Sequence, residues 1–148
     1  MAQVLGALVD FTDAGRIRTC LATELFGCSG ETIHGLREDE QAWAARLSDL
    51  QQYRQIWREQ GSMAMFQHLL VREGVTRRLT GQIGGERSLT NYLHLAELLQ
   101  ESPAGEHGAA ALLRWFKHQL DNPDPGSEAQ LIRLESDEQL IRIVTVHR

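Results

Sequence analysis

Long apolar runs are missing from this 148-residue chain, and none approaches the roughly 18 consecutive apolar residues that a membrane-spanning helix needs. The first residues, MAQVLGALVDFTDAGR, have no basic segment ahead of their short apolar stretch, and Asp10 interrupts that stretch. We therefore expect neither a secretory signal nor an association with a membrane.

Cysteine is scarce as well, since only Cys20 and Cys28 occur in the chain. Two isolated thiols are typical of neither a disulfide framework nor a zinc site. Cys20 has no histidine near it in the sequence that could activate it, and it falls near the apolar face of a predicted helix. We therefore predict a structural thiol at this position. This cysteine usage favours a reducing, intracellular setting, and we expect a cytoplasmic protein.

Positive charge is in deficit, because 15 Lys and Arg residues stand against 20 Asp and Glu residues, for a net charge of −5. This balance argues against a self-sufficient nucleic-acid binder, which usually carries a basic face. A local basic patch is still compatible with it, and its candidate members are Arg72, Arg77, Arg78 and Arg87. Acidic residues lie among these arginines in the sequence, so we interpret them as solvated surface.

The motifs of common catalytic sites are absent from the sequence. There is no G-x-x-x-x-G-K-[ST] phosphate loop, and the glycine-rich segment 81–85 follows a predicted helix and contains no lysine, so we interpret it as a plain loop. None of the six histidines forms the H-x-x-x-H pair that places two imidazoles on one helical face. We therefore predict no catalytic residue, metal site or cofactor site in this chain.

The chain is rich in the apolar periodicity of α-helices, which predicts a mainly α domain. Its apolar content of 42% and charged content of 24% are typical of one globular domain with a core. Helices are predicted over residues 2–9, 14–26, 31–36, 38–60, 63–72, 89–100 and 106–120. The aromatic stripe of the longest predicted helix, which includes Trp43 and Trp57, is interpreted as core packing rather than a cofactor site.

Capping residues and inward-facing residues can be assigned on the same basis. Ser29 and Ser62 are predicted N-caps, and Gly27 and Gly61 lie where C-cap glycines are expected. The apolar side chains predicted to align on helix faces are Ile17, Leu21, Leu25, Leu47, Leu50, Leu89, Leu93, Ala96, Leu99, Leu112, Leu113, Phe116 and Leu120.

The character of the sequence changes near residue 122. Residues 121–127 are dense in turn formers and predict an exposed linker. Residues 131–134 and 140–146 are rich in Ile, Leu and Val and predict a β-hairpin or two strands of a sheet. The second of these segments is apolar on both faces, which suits the middle of a parallel sheet. Because the sequence stops directly after it, we expect a segment of a larger protein whose remaining sheet lies elsewhere.

Several stretches go beyond composition. Residues 84–100 read GGERSLTNYLHLAELLQ, and near the end RLESD at 133–137 is followed by IVTVHR at 143–148. Both stretches closely resemble the RecB family, the beta subunits of exodeoxyribonuclease V, in which a superfamily 1 helicase is fused to a nuclease. LATELFG at 21–27 and YRQIWR at 53–58 look similar too. The likeness keeps its order along most of the chain.

This resemblance implies a domain organisation. In the family, a largely helical accessory domain called 2B is inserted into the second RecA-like motor domain. Residues 1–122 would form the 2B-like domain, 123–128 a linker, and 129–148 strands that return to the RecA-like sheet. The returning strand leads into helicase motif V, approximately T-x-H-[KR]-x-K-G-L-E. Its opening is matched by Thr145, His147 and Arg148, which the resemblance implies as DNA-backbone contacts.

The resemblance also implies a function. It predicts a parent protein that unwinds and degrades DNA in double-strand break repair and recombination, with ATP and Mg as its cofactors and RecC-like and RecD-like subunits as its partners. This chain lacks the rest of motif V, the phosphate loop and the nuclease domain, so it would position DNA and contact subunits without catalysis.

The residues by themselves leave two alternatives open. A free-standing helical adaptor would explain the helices and the acidic charge, but not the final predicted strand. A small enzyme of unrecognised type would need a pocket that contains strongly perturbed ionisable groups.

Overall fold

The computed structural model describes residues 1–122, apart from the side chains of residues 106 and 107. The mainly helical class predicted from the sequence is confirmed within this part. The helices are α1 (Ala2–Val9), α2 (Ala14–Leu21), α3 (Gly30–Gly35), α4 (Glu40–Gln60), α5 (Ser62–Arg72), α6 (Val75–Thr80), α7 (Gly85–Glu101), a 3-10 helix (Pro103–His107) and α8 (Ala109–Asp121).

Three predictions made from the sequence concern residues after 122, which the structure does not describe. The linker at 123–128 and the strands within 129–148 lie outside the described residues. The implied DNA contacts Thr145, His147 and Arg148 lie outside them as well, and all of these stay predictions. Within residues 1–122, no helix is long and apolar enough to cross a membrane.

Short polar side chains set where several helices begin. The Ser29 hydroxyl accepts a hydrogen bond from the Thr32 N–H at 3.1 Å, which confirms the predicted N-cap of α3. Asp39 accepts from the Ala42 N–H at 2.9 Å and caps α4. The longest helix therefore begins at Glu40, two residues later than predicted. The Asp39 carboxylate accepts from a backbone N–H of the first turn, which has no carbonyl partner within the helix.

The second predicted helix is shorter in the structure than in the prediction. It ends at Leu21 instead of residue 26, and the Thr23 hydroxyl donates to the Cys20 carbonyl at 2.7 Å. Gly27 then adopts a φ of 64° while its N–H donates to the Thr23 carbonyl at 2.7 Å. Leu25 is still fully buried, so the apolar spacing correctly predicted burial but not continuous helix.

The prediction that Ser62 caps α5 is wrong. Ser62 is the first residue of the helix, and Gly61, with a φ of 92°, occupies the N-cap position. The Ser62 hydroxyl donates to the Gln100 side-chain oxygen at 3.2 Å, and the Met63 N–H reaches the same oxygen at 3.2 Å. A residue of α7 thus satisfies the start of α5, and the polar serine is buried at this crossing.

The core lies between α1 and the helices around it. α1 contributes four fully buried apolar side chains and contacts α2, α4 and α8. Leu50, Tyr53 and Trp57 of α4 are also buried, which confirms that this stripe packs in the core. The prediction for Leu120 is wrong: this side chain is 52% exposed, because it lies one turn beyond Phe116, the last buried residue of α8.

Candidate interaction surfaces

A buried carboxylate joins α4 to the end of α5. The Glu73 side chain is only 7% exposed. Its two oxygens accept hydrogen bonds from Arg46 Nη1, each at 3.3 Å, and one also accepts from the Tyr53 hydroxyl at 2.8 Å. Arg46 lies 3.6 Å from the Asp49 carboxylate as well. The charge of Glu73 is paired with Arg46, and both of its carboxylate oxygens accept hydrogen bonds. Glu73 therefore stabilises the packing of α4 against the end of α5.

Two of the arginines interpreted as solvated surface are in fact engaged. Arg78 donates to the backbone carbonyls of Glu73, Glu24 and Leu25, each at 2.8 Å. Arg72 pairs with side chains of α4. The solvated-surface interpretation is therefore wrong for Arg78, whose half-buried guanidinium fastens α6 to the turn after α2. Arg78 and Glu24 are more than fifty residues apart in the sequence. Their contact comes from tertiary packing, so the local spacing of residues does not predict it.

The groups with strongly raised pKa values are enclosed by packing. Burial raises the pKa of the Cys20 thiol to about 12, and the side chain is fully buried, as expected of a structural thiol. Burial, followed by the hydrogen bond to Glu73, raises the pKa of Tyr53 above its ordinary value. The same two causes, with Glu24 as acceptor, raise the pKa of Tyr92. Burial is the largest cause of each of these shifts.

Tyr53 should make the domain sensitive to alkaline pH. Its folded-state pKa is raised, so its contribution is fully present below pH ~10 and is lost as the pH rises through the folded value, because the unfolded chain releases the proton first. Tyr53→Phe should cost about 1.5 kcal/mol at neutral pH through the lost hydrogen bond to Glu73. Urea unfolding of both proteins from neutral to alkaline pH should show this difference shrinking above pH ~10. A difference that stays constant with pH would contradict the assignment.

An open groove lies between the turn after α1 and one face of α4. It encloses about 650 Å³ and is lined by Phe11, Gln51, Arg54, Gln55, Arg58 and Glu59. The Arg54 guanidinium sits 5.3 Å from the centroid of the Phe11 ring, within the range of a cation–π contact. Gln55 donates to the Glu59 carboxylate at 3.0 Å. The lining is therefore polar, with two arginines and one carboxylate.

Sequence reasoning missed the two arginines of this groove. The available signal was their separation of four residues, which places Arg54 and Arg58 on one helical face beside Gln51 and Gln55. This pair is less conspicuous than the denser run of arginines in residues 72–87. The chain around Phe11 completes the groove, and its proximity to α4 comes from tertiary packing.

The turn between α6 and α7 departs from the sequence expectation in detail. α6 itself was not predicted, and α7 begins at Gly85, four residues earlier than predicted. Gly84 adopts a φ of 77°, and Ile83 projects fully into solvent. A single exposed apolar side chain is common on protein surfaces, so it carries no functional conclusion by itself. The loop interpretation is confirmed for residues 81–84 only.

The histidines and acidic residues were the remaining candidates for a catalytic or metal site. His94 is 38% exposed, and its Nδ1 lies 3.6 Å from the Glu97 carboxylate one turn away. Among residues 1–122, no group of three His, Cys, Asp or Glu side chains is arranged to hold a metal ion.

Known proteins provide the remaining evidence on identity. No family model matches the chain. The RecBCD enzyme subunit RecB of Haemophilus influenzae is 40% identical over 148 residues, which is all of this chain and 12% of that protein. RecB of Escherichia coli is 37% identical over the same span, again 12% of its length. RecB of Mycolicibacterium smegmatis is 34% identical over 134 residues, which cover 89% of this chain. The chain therefore belongs to the RecB family and corresponds to a segment that is 12% of the length of these relatives.

Proposed function

We propose that this chain serves as a non-catalytic accessory domain of the 2B type in a RecB-like helicase and nuclease that acts in DNA repair and recombination. The observation that carries the proposal is the 40% identity to a RecB subunit over the whole chain. In the longer protein, ATP and Mg would be used in the motor domains. This segment would position duplex DNA and contact RecC-like and RecD-like subunits.

The character of the described residues supports a binding role rather than a chemical one. The most buried ionisable cluster, around Glu73, is fully paired and holds helices together. Cys20 and Tyr53, whose pKa values are strongly raised, are fully buried. The polar groove on α4 is open to solvent and presents side chains that can donate hydrogen bonds. A domain of this kind provides binding surfaces within a larger protein complex.

The free-standing adaptor receives less support. The identity to RecB subunits extends over residues 129–148 as well, and these are the residues that an adaptor leaves unexplained. Thr145, His147 and Arg148 stay proposed contacts to the DNA backbone, because a hydroxyl, an imidazole and a guanidinium can each donate to phosphate.

The proposal is tested in the longer RecB-like subunit, assembled with its RecC-like and RecD-like partners. We expect that replacing residues 1–122 with a flexible Gly-Ser linker leaves DNA-stimulated ATP hydrolysis intact but changes DNA unwinding or subunit assembly. Loss of ATP hydrolysis in a correctly assembled complex would indicate a catalytic role instead. Unchanged unwinding together with unchanged assembly would overturn the accessory role. Size-exclusion chromatography of the complex separates assembly defects from unwinding defects.

A further inference from the structure

We propose that the groove formed by Phe11 and the outer face of α4 is a binding site for the phosphate backbone of nucleic acid. This inference rests on the proposed function and assigns its DNA-contacting surface to particular residues. The groove is open, about 650 Å³ in volume, and lined mainly by polar side chains. It offers guanidinium and amide donors, the groups that proteins use to contact phosphate oxygens without reading sequence.

Arg54 is held in position before any ligand arrives. Its guanidinium lies over the Phe11 ring at 5.3 Å from the centroid, and the residue is half-buried. The cation–π contact with the Phe11 ring restrains the long side chain, while the N–H donors of the guanidinium remain able to bind an anion. Less conformational entropy is therefore lost when Arg54 binds a phosphate than when an unrestrained arginine does.

Arg58 lies one helical turn further along the same face. It is exposed, and its side chain makes no ion pair or hydrogen bond with any residue that the structure describes. Side chains four residues apart on a helix are about 5–6 Å apart at Cβ. Arg54 and Arg58 can therefore contact one phosphate together or two consecutive phosphates of one strand.

The acidic residue of the groove does not cancel this pair. Glu59 accepts a hydrogen bond from Gln55 at 3.0 Å, which engages one of its oxygens with a neighbouring amide. The two arginines outnumber this single carboxylate, so the lining carries positive charge in a chain whose net charge is −5. A local positive site on an acidic domain attracts phosphate at short range while the rest of the surface disfavours indiscriminate binding.

Nucleic acid fits this lining better than a protein segment does. Protein partners usually bury an apolar or aromatic anchor at the centre of their contact. Here the aromatic side chain in the groove, Phe11, is already covered on one face by Arg54, and the other lining residues are polar or charged. The contacts would be independent of base sequence and strongly dependent on salt, as phosphate contacts are.

The test measures binding of a fluorescent duplex to the 148-residue chain by anisotropy, at salt concentrations from roughly 50 to 200 mM. The groove variant is Arg54→Gln with Arg58→Gln. Its matched control is Arg114→Gln with Lys117→Gln, which removes the same charge from exposed positions on α8. The groove variant should reduce the magnitude of the negative slope of log affinity against log salt by about 1.8 and weaken binding on the order of tenfold, more than the control does. Arg58→Gln alone should reduce the magnitude of this slope by about 0.9 without disturbing the Phe11 contact.

The possible outcomes separate the two proposals. If the wild-type chain binds duplex and the groove and control variants behave alike, the groove inference is overturned while the accessory role stands. If the wild-type chain fails to bind duplex even at low salt, the groove inference fails, whereas the DNA-positioning role is decided by unwinding in the assembled complex. Competition by polyglutamate as effective as that by unlabelled duplex would assign the groove to an acidic protein partner instead. Thermal melting of each variant checks that the fold is retained.

Discussion

Replacing Gly85 with alanine is expected to lower the free energy of unfolding by about 3 kcal/mol, a large effect for a single methyl group. A Cβ on this glycine would lie 1.6 Å from the carbonyl oxygen of Leu79 and 2.4 Å from its carbonyl carbon. Both atoms belong to the backbone of α6, so no side-chain rotation relieves the overlap. The start of α7 would have to move away from α6, which would open the packing around the buried Leu79 side chain.

Gly30→Ala provides the matched control for this substitution. Gly30 is the first residue of α3, and a Cβ built there would have no heavy atom within 4 Å apart from its chain neighbours and the nearby backbone of its own helix. The control should be neutral or stabilise by up to about 1 kcal/mol, because alanine reduces the conformational freedom of the unfolded chain. Urea unfolding followed by circular dichroism gives both values. Equal stabilities for the two variants would show that α6 and α7 do not approach as closely as described.

Arg78→Met should cost about 2–3 kcal/mol of folding stability. The substitution keeps most of the aliphatic stem but leaves three backbone carbonyls, on Glu73, Glu24 and Leu25, without their charged donor. The same guanidinium fills the space beside Gly27, where a Cβ would lie 2.5 Å from Arg78 Nε. The turn after α2 should therefore loosen, and hydrogen exchange of its amides should quicken more than exchange in α4.

The neighbouring residue tests whether this effect comes from the contact or from the lost charge. Arg77 is exposed, and Arg77→Met removes the same charge from the adjacent position of α6. We expect its stability to change by no more than about 0.5 kcal/mol, as is usual for surface positions. Similar losses in the Arg77 and Arg78 variants, measured by urea unfolding, would contradict the role given to the Arg78 hydrogen bonds.

Many of the helices could be predicted from the local sequence, because apolar periodicity and capping residues act over a few neighbouring residues. α1 was predicted with the bounds that the structure has, and Ser29 caps α3 as expected. The burial of Leu50 and Trp57 followed from apolar spacing along one helix. α6 escaped prediction because it has only six residues, of which Val75 and Leu79 are buried, and two buried positions give too little periodicity.

The functional assignment came from a different kind of sequence information. The order of several short stretches along the chain predicted the RecB family, and the identity to RecB subunits over the whole chain bears this out. Composition and spacing did not lead to it, since an acidic helical domain without a catalytic motif suits many functions. The implied contacts at Thr145, His147 and Arg148 depend on that resemblance and lie outside the described residues.

Sequence by itself determined the family, the helical class and part of the core of this protein, because these depend on local periodicity or on motif order. Only the tertiary structure decided which polar groups are structural and which are available for binding. Arg78 binds two segments that are distant in sequence, while Arg58 faces solvent, although both are arginines on helices. The distinction arises from contacts between residues far apart in sequence, such as the pairing of Phe11 with Arg54 in the α4 groove.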